Sequence, residues 1–352
     1  MRLLSIRSAR VKLILLSIMH FATDGLCSYL ALSMLYPNNP ELSFYVFIGY
    51  NLLAFVTQSP IGALIDKYNR PRLFLAVSIA CMIIGYLCAP ICLLSVLFIG
   101  ISNSIFHVAG GKFVTDKSGN DISHLGIFVS TGAVGLMLGQ VYSNLTFLPY
   151  VFFSLLIVCG LMMIFSEQTE TVSYPEEYVN PDGESTALLM VLAVVLIRSF
   201  VGKVASPDFT LDSGLLLIIS IATALGKAMG GICSKYIGIR PTTYVSMAIS
   251  AVCLTVGAGN ELVFILGIFA FNFSMPITLY LANILSKSKE GFAFGTLAAV
   301  LVPGYFLAML FTYSTVMRIL AAILCLVSIV VISIISKRVH RYDRACDTDS
   351  NN

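Results

Sequence analysis

Gly62-Ala63-Leu64-Ile65-Asp66-Lys67-Tyr68-Asn69-Arg70-Pro71-Arg72 sets one acid and three bases into a few residues between two long apolar runs. Gly62, with no Cβ, lets two helices approach closely, and Pro71 suits the first turn of the helix that follows. A weaker copy lies almost half a chain later: Gly230-Gly231-Ile232-Cys233-Ser234-Lys235-Tyr236-Ile237-Gly238-Ile239-Arg240-Pro241. Lys67-Tyr68 and Lys235-Tyr236 align the two copies, and each falls between hydrophobic stretches. A repeated charged hinge predicts two like-oriented halves.

The composition around these hinges is that of a lipid-dissolved chain. Hydrophobic residues make up 58% and charged residues 11% of the 352, with mean hydropathy +0.91. A soluble domain is nearer about half apolar and about a quarter charged, so the chain reads as an all-α integral membrane protein. A net charge of +3 is too small to point to nucleic acid. Nine cysteines, several of them inside apolar runs (Cys27, Cys81, Cys159, Cys253, Cys325), form no C-x-x-C pair. They read as small core hydrophobes and not as a disulfide frame or metal site, and no cofactor is expected. The basic start, Arg2 to Lys12, followed by an apolar run, resembles a signal peptide. That run is too long for one, so it is kept as the first span.

A spanning helix needs about 20 mainly apolar residues. Twelve candidates begin near Lys12, Glu41, Pro71, Cys92, Ser123 and Phe147, then near Ala187, Gly214, Pro241, Glu261, Gly291 and Thr315. The predicted architecture is twelve transmembrane helices in two pseudo-symmetric six-helix bundles, 1–165 and 187–336. An acidic linker with Pro175 and Pro181 occupies 166–186, and a short charged tail, expected to be flexible, occupies 337–352. With the N-terminus in the cytoplasm, Arg10, Lys67, Arg70, Arg72, Lys112, Lys235, Arg240, Lys289, Lys337 and Arg338 fall inside. The outer loops then carry acids such as Glu41, Asp212 and Glu261. The asymmetry predicts a multi-pass protein of the cell membrane with both termini and the linker cytoplasmic.

Gly62-x-x-x-Asp66-x-x-x-Arg70-x-Arg72, between the second and third spans, resembles the signature loop of the major facilitator superfamily. Further stretches are similar to its fosmidomycin-resistance branch: His20-Phe21-Ala22-Thr23-Asp24, Gly100 to Gly111 with Phe106-His107, Ser118 to Gly126, and Gly132-x-x-Gly135-x-x-x-Gly139. Val108-Ala109 stands where that branch has Pro-Glu, and Ser234 stands in the second hinge where an acid is expected. The resemblance implies alternating access, proton-coupled drug export and a monomer.

An ionised side chain in mid-membrane costs at least about 2.5–3.5 kcal/mol, so each one needs a reason. Asp24 lies roughly 18 Å into the first helix at about 1.5 Å per residue, with His20 one turn away on the same face. Two roles stay open for it: a proton carrier, or a structural hydrogen-bond partner between helices. Arg198 is about as deep in the seventh span and is expected either to pair with Asp24 or to meet an anionic substrate. His107 is a proton or substrate group, or a satisfied buried histidine. Lys227 is expected either to snorkel towards the cytoplasmic interface or to meet the substrate. Asn272, four residues before Pro276, marks either a broken, site-lining helix or a plain kink. Gly62, Asp66, Lys67, Arg70 and Arg72 read as a conformational switch, with Asp66 holding a helix N-terminus or a base across the interface. Gly126, Gly132, Gly135 and Gly139 give the fifth helix a small-residue face.

These residues predict a secondary transporter exporting a small, anionic, drug-like compound against protons. Uptake of a small anion or nutrient is the alternative within transport, and a non-transporting receptor or scaffold is the alternative outside it. No H-E-x-x-H, paired acid set or nucleotide loop is present in the sequence, so neither an enzyme nor an ATP-driven pump is expected.

Overall fold

The computed structural model describes residues 8–118, 121–166, 184–205, 207, 209–286 and 289–349. Most of the expected linker therefore lies outside the described residues. Twelve apolar helical segments follow in order: α1 Ala9–Asn38, α2 Pro40–Tyr68, α3 Pro71–Leu87, α4 Cys92–Ser118, α5 Ile122–Val141 and α6 Leu148–Ile164. The second half supplies α7 Glu184–Val204, α8 Ser213–Ile237, α9 Ile239–Val256, α10 Glu261–Leu285, α11 Glu290–Met309 and α12 Thr315–Asp349. Ten are long enough to cross a bilayer by themselves, and α3 and α6 are shorter at 17 residues each. The last helix continues beyond the end of the predicted span near Ser336, running to Asp349.

Local chemistry explains the helix ends. Asp121, Asp212 and Asn260 cap α5, α8 and α10, each side chain accepting from a first-turn backbone N–H at 2.9, 2.7 and 3.1 Å. Pro71 opens α3 at its first position. Asn69 and Gly238 stop α2 and α8 by taking positive φ, 48° and 96°, a conformation open to glycine and tolerated by asparagine. Outer faces expose large apolar side chains, for example Leu87, Leu262, Leu310 and Val330, where lipid would lie. Within the first half α1 packs along α5, and two seams join the halves, α2 on α11 and α5 on α8.

The two hinge copies occupy equivalent seams, one residue out of the register that Lys67-Tyr68 and Lys235-Tyr236 suggest. A Cβ on Gly62 would strike the Gly291 carbonyl on α11, and one on Gly231 would strike the Ile122 carbonyl on α5. Gly230, the partner of Gly62 in the sequence alignment, faces Phe273 instead. Matching Gly62 to Gly231 also brings Asn69 onto Gly238, so both close approach and helix termination support the shifted register.

Candidate functional site

Helix periodicity builds the centre of the site from two pairs four residues apart. His20 and Asp24 share one face of α1, and Asn103 and His107 share one face of α4. The two faces meet, with His20 Nε2 3.3 Å from Asp24 Oδ2 and His107 Nε2 3.6 Å from Asp24 Oδ1. Asn103 Nδ2 donates to Asp24 Oδ1 at 3.1 Å. The imidazole rings stand edge to face, their centroids 4.6 Å apart. From α5, Gly132 closes the cluster: a Cβ there would collide with His20 Nε2 and Asp24 Oδ2.

Hydrogen-bond accounting fixes the protonation logic. His20 Nδ1 lies 2.8 Å from the Phe128 carbonyl and His107 Nδ1 lies 2.9 Å from the Asn103 carbonyl. A carbonyl only accepts, so each Nδ1 carries a hydrogen. Each neutral ring then turns an Nε2 lone pair towards the same carboxylate, an acceptor facing acceptors. At least one proton must sit between Asp24 and the rings for the contacts to be attractive.

These groups line a central cavity of about 550 Å³ that reaches into both halves. From the second half, Arg198 of α7, Lys227 of α8 and Asn272 of α10 line the same cavity. Arg198 Nη2 donates to Asn272 Oδ1 at 3.1 Å, and its guanidinium lies 6.0 Å from the Phe271 ring centre. The expected pairing of Arg198 with Asp24 gives way to this neutral partner. Arg198 Nε is buried with no hydrogen-bond partner among the described residues. Of the two readings of Lys227, snorkelling gives way to a place in the cavity lining. α10 breaks at Asn272 and Phe273, where Pro276 has no N–H to offer the carbonyl one turn back. Phe55, Leu136, Met137, Ile219 and Leu301 make much of the remaining wall apolar.

The hinge end of the cavity is shut by the two seams. In the first, Asp66 accepts from the backbone N–H groups of Gly291 (3.0 Å) and Phe292 (2.8 Å) at the α11 N-terminus. Lys112 of α4 bridges Asp66 Oδ1 at 3.1 Å and Glu290 Oε2 at 3.0 Å, and all three side chains are buried. Ser59 of α2 and Thr296 of α11 add a hydroxyl pair at 3.0 Å. In the second seam, Lys235 of α8 donates to the α5 cap Asp121 at 2.6 Å, while Asp121 Oδ1 accepts from Ser123. Burial alone would raise the Asp121 carboxyl, but the Lys235 and Ser123 hydrogen bonds outweigh it and hold it below the ordinary value. Of the other hinge bases, Lys67 lies beside the Tyr68 ring (5.9 Å), and Arg70 precedes the first residue of α3. Arg72 falls within the first turn of α3.

The fifth-helix glycines divide between two jobs. Gly135 and Gly139 seat α5 on the backbone of α1 within the first half, and Gly126 seats it on Lys227 and Gly231 of α8 across the seam. Asn103, Glu290 and Asp121 were not singled out by sequence reading, and Lys112 was taken only as positive-inside decoration. The spacing Asn103-x-x-x-His107, parallel to His20-x-x-x-Asp24, was the available signal for Asn103. Two π turns were also missed, Ala31–Leu35 in α1 and Leu52–Val56 in α2, the latter contributing Phe55 to the cavity.

No family model and no curated protein matches the sequence. Solved structures do match. A variant of the E. coli fucose:proton symporter FucP aligns over 94% of this chain and 100% of its own, with TM-score 0.68 and 10% identity. The human organic anion transporter MFSD10 aligns over 93% of this chain and 99% of its own, with TM-score 0.70 and 13% identity. The chain has the major facilitator fold.

Proposed function

We propose that this protein is a secondary transporter of the major facilitator superfamily that moves a small organic anion by alternating access, coupled to protons. The observation that carries this reading is the convergence of two Nε2 atoms on the Asp24 carboxylate beside the central cavity. Such a cluster takes up and gives back a proton as its surroundings change. Arg198, with an unpartnered Nε, and Lys227 supply positive charge to the same cavity, suited to a carboxylate or phosphonate. Proton and anion thus share one cavity, so loading either changes the field felt by the other.

Residues 1–165 and 187–336 act as the two rocking bodies, with Gly62, Asp66, Lys67, Arg70 and Arg72 at the switch. The hinge end faces the cytoplasm of the cell membrane, following the lysine and arginine distribution. Export is the direction implied by the fosmidomycin-resistance resemblance. Uptake has in its favour the likeness to a fucose:proton symporter. The test is proton flux in liposomes under an imposed pH gradient, with phosphonates, carboxylates and lipophilic cations added in turn. Anion-dependent flux should appear in the wild type and vanish in Asp24→Asn, while Arg198→Gln weakens the dependence on the anion. The sign of flux separates export from uptake. Anion-driven flux persisting in Asp24→Asn would overturn the assignment.

A further inference from the structure

The cluster that holds the proton has the donors of a metal site. We propose that His20, Asp24 and His107 bind a divalent transition ion of the zinc type, and that ion and proton exclude one another there. Binding stands on the geometry alone, and only its effect on flux rests on the transport reading above.

Two imidazole nitrogens and one carboxylate are the ligand set of three-residue zinc sites whose fourth position stays open. Nitrogen donors favour zinc and its neighbours over magnesium or calcium. Zinc ligands at about 2.0–2.1 Å in a tetrahedron stand about 3.3–3.4 Å from one another. His20 Nε2 stands 3.3 Å from Asp24 Oδ2 and His107 Nε2 stands 3.6 Å from Oδ1, the other oxygen of the same carboxylate. One donor atom from each of the three residues lies within 4.8 Å of the others. Orientation agrees as well. Each Nδ1–H is anchored on a backbone carbonyl, the outer contact that typically fixes a metal-binding imidazole and aims its Nε2 at the ion. Asn103 steadies the carboxylate, and the bare α-carbon of Gly132 leaves room for the cluster against α5. The open position faces the cavity, where water or an anionic substrate would complete the shell. Lys227 and Arg198 line the same cavity and oppose a second positive charge, so both rings must be neutral for the ion to enter. Sequence spacing hid this set because its members come from two helices far apart in the chain.

The test is calorimetric titration of zinc into the full-length protein carrying His124→Gln and His340→Gln, which removes the other two histidines. One ion per chain is expected, with affinity falling from neutral to mildly acidic pH. His107→Gln or His20→Gln should weaken binding by more than the 10–100-fold typical of an outer-shell change. His107→Cys, which offers a thiolate, should restore it. A melting curve matching the background protein establishes that each variant is folded. Absence of zinc binding in the folded background protein, or binding undiminished in both glutamine variants, overturns the site. In liposomes, zinc should block anion-driven proton flux. Bound zinc that leaves Asp24-dependent flux unchanged overturns the exclusion. A lack of Asp24-dependent flux in zinc-free liposomes counts against the transport reading alone, and the titration still decides the metal site.

Discussion

The two seams that close the hinge end are built on one geometric plan with opposite polarity. In the α2–α11 seam an acid, Asp66, reaches across to a helix N-terminus that has no side-chain cap of its own, and the N–H groups there attract it. In the α5–α8 seam the N-terminus already has its own capping acid, Asp121, and the reaching residue is a base, Lys235. The surroundings differ too. Asp66, Lys112 and Glu290 are each at most 8% exposed, whereas the Lys235 side chain is 43% exposed. Water therefore competes at one seam and is excluded from the other. A buried ionic cluster is costly to leave half-complete, and an exposed pair is not. In the proposed rocking motion the first seam would part as a unit, and the second would yield gradually.

The sharpest way to break this contrast is Lys112→Met, which leaves two carboxylates buried together. A loss of about 3–5 kcal/mol is expected, read as a marked fall in melting temperature in detergent. Replacing Lys112, Asp66 and Glu290 together with Met, Asn and Gln should recover much of it, because no lone charge remains. Gly62→Val comes next. Its side chain collides with the Gly291 carbonyl and should part α2 from α11. Cysteines placed at Ser59 and Thr296 would then cross-link readily in the parent and poorly in the variant.

The smallest effects belong to the second seam. Lys235→Ala should shift the melting temperature far less than Lys112→Met, and added salt should weaken this seam but not the first. Its pH dependence follows from Asp121, whose carboxyl is held below its ordinary value of about 3.9 when the seam is closed. The contact is then fully present above that value and lost as pH falls through the lowered one. Closure measured by a distance label across α5 and α8 should stay constant between about pH 8 and about pH 5 and loosen only below about pH 4.

Much of the fold was legible because lipid imposes length and apolarity on every span, so twelve segments could be counted from hydropathy. Predicted starts such as Pro71, Cys92, Glu261 and Thr315 coincide with observed ones, since proline, loop polarity and caps mark them. The end of α12 was not legible, because a charged sequence outside the bilayer can still be helical. At the site, His20 and Asp24 could be placed on one face from spacing alone. Their meeting with His107 and Asn103 depends on how α1 and α4 pack, which no local pattern encodes. Lys227 stayed open between two readings for a related reason: depth along a helix was readable, but not which way the face turned. The second hinge misled in register because Lys-Tyr recurs by sequence, while close packing follows Gly231.

The backbone carbonyls behind the two rings have an electrical consequence. A histidine relays a proton onwards by receiving it on one nitrogen and releasing it from the other to a further acceptor. Here the far nitrogen of each ring points at a carbonyl, which holds a hydrogen bond but does not carry a proton on. The wire ends at the rings. On the proposed proton-coupled reading, a proton that enters from the cavity would have to leave by the cavity, so this cluster would offer no path that short-circuits the membrane voltage.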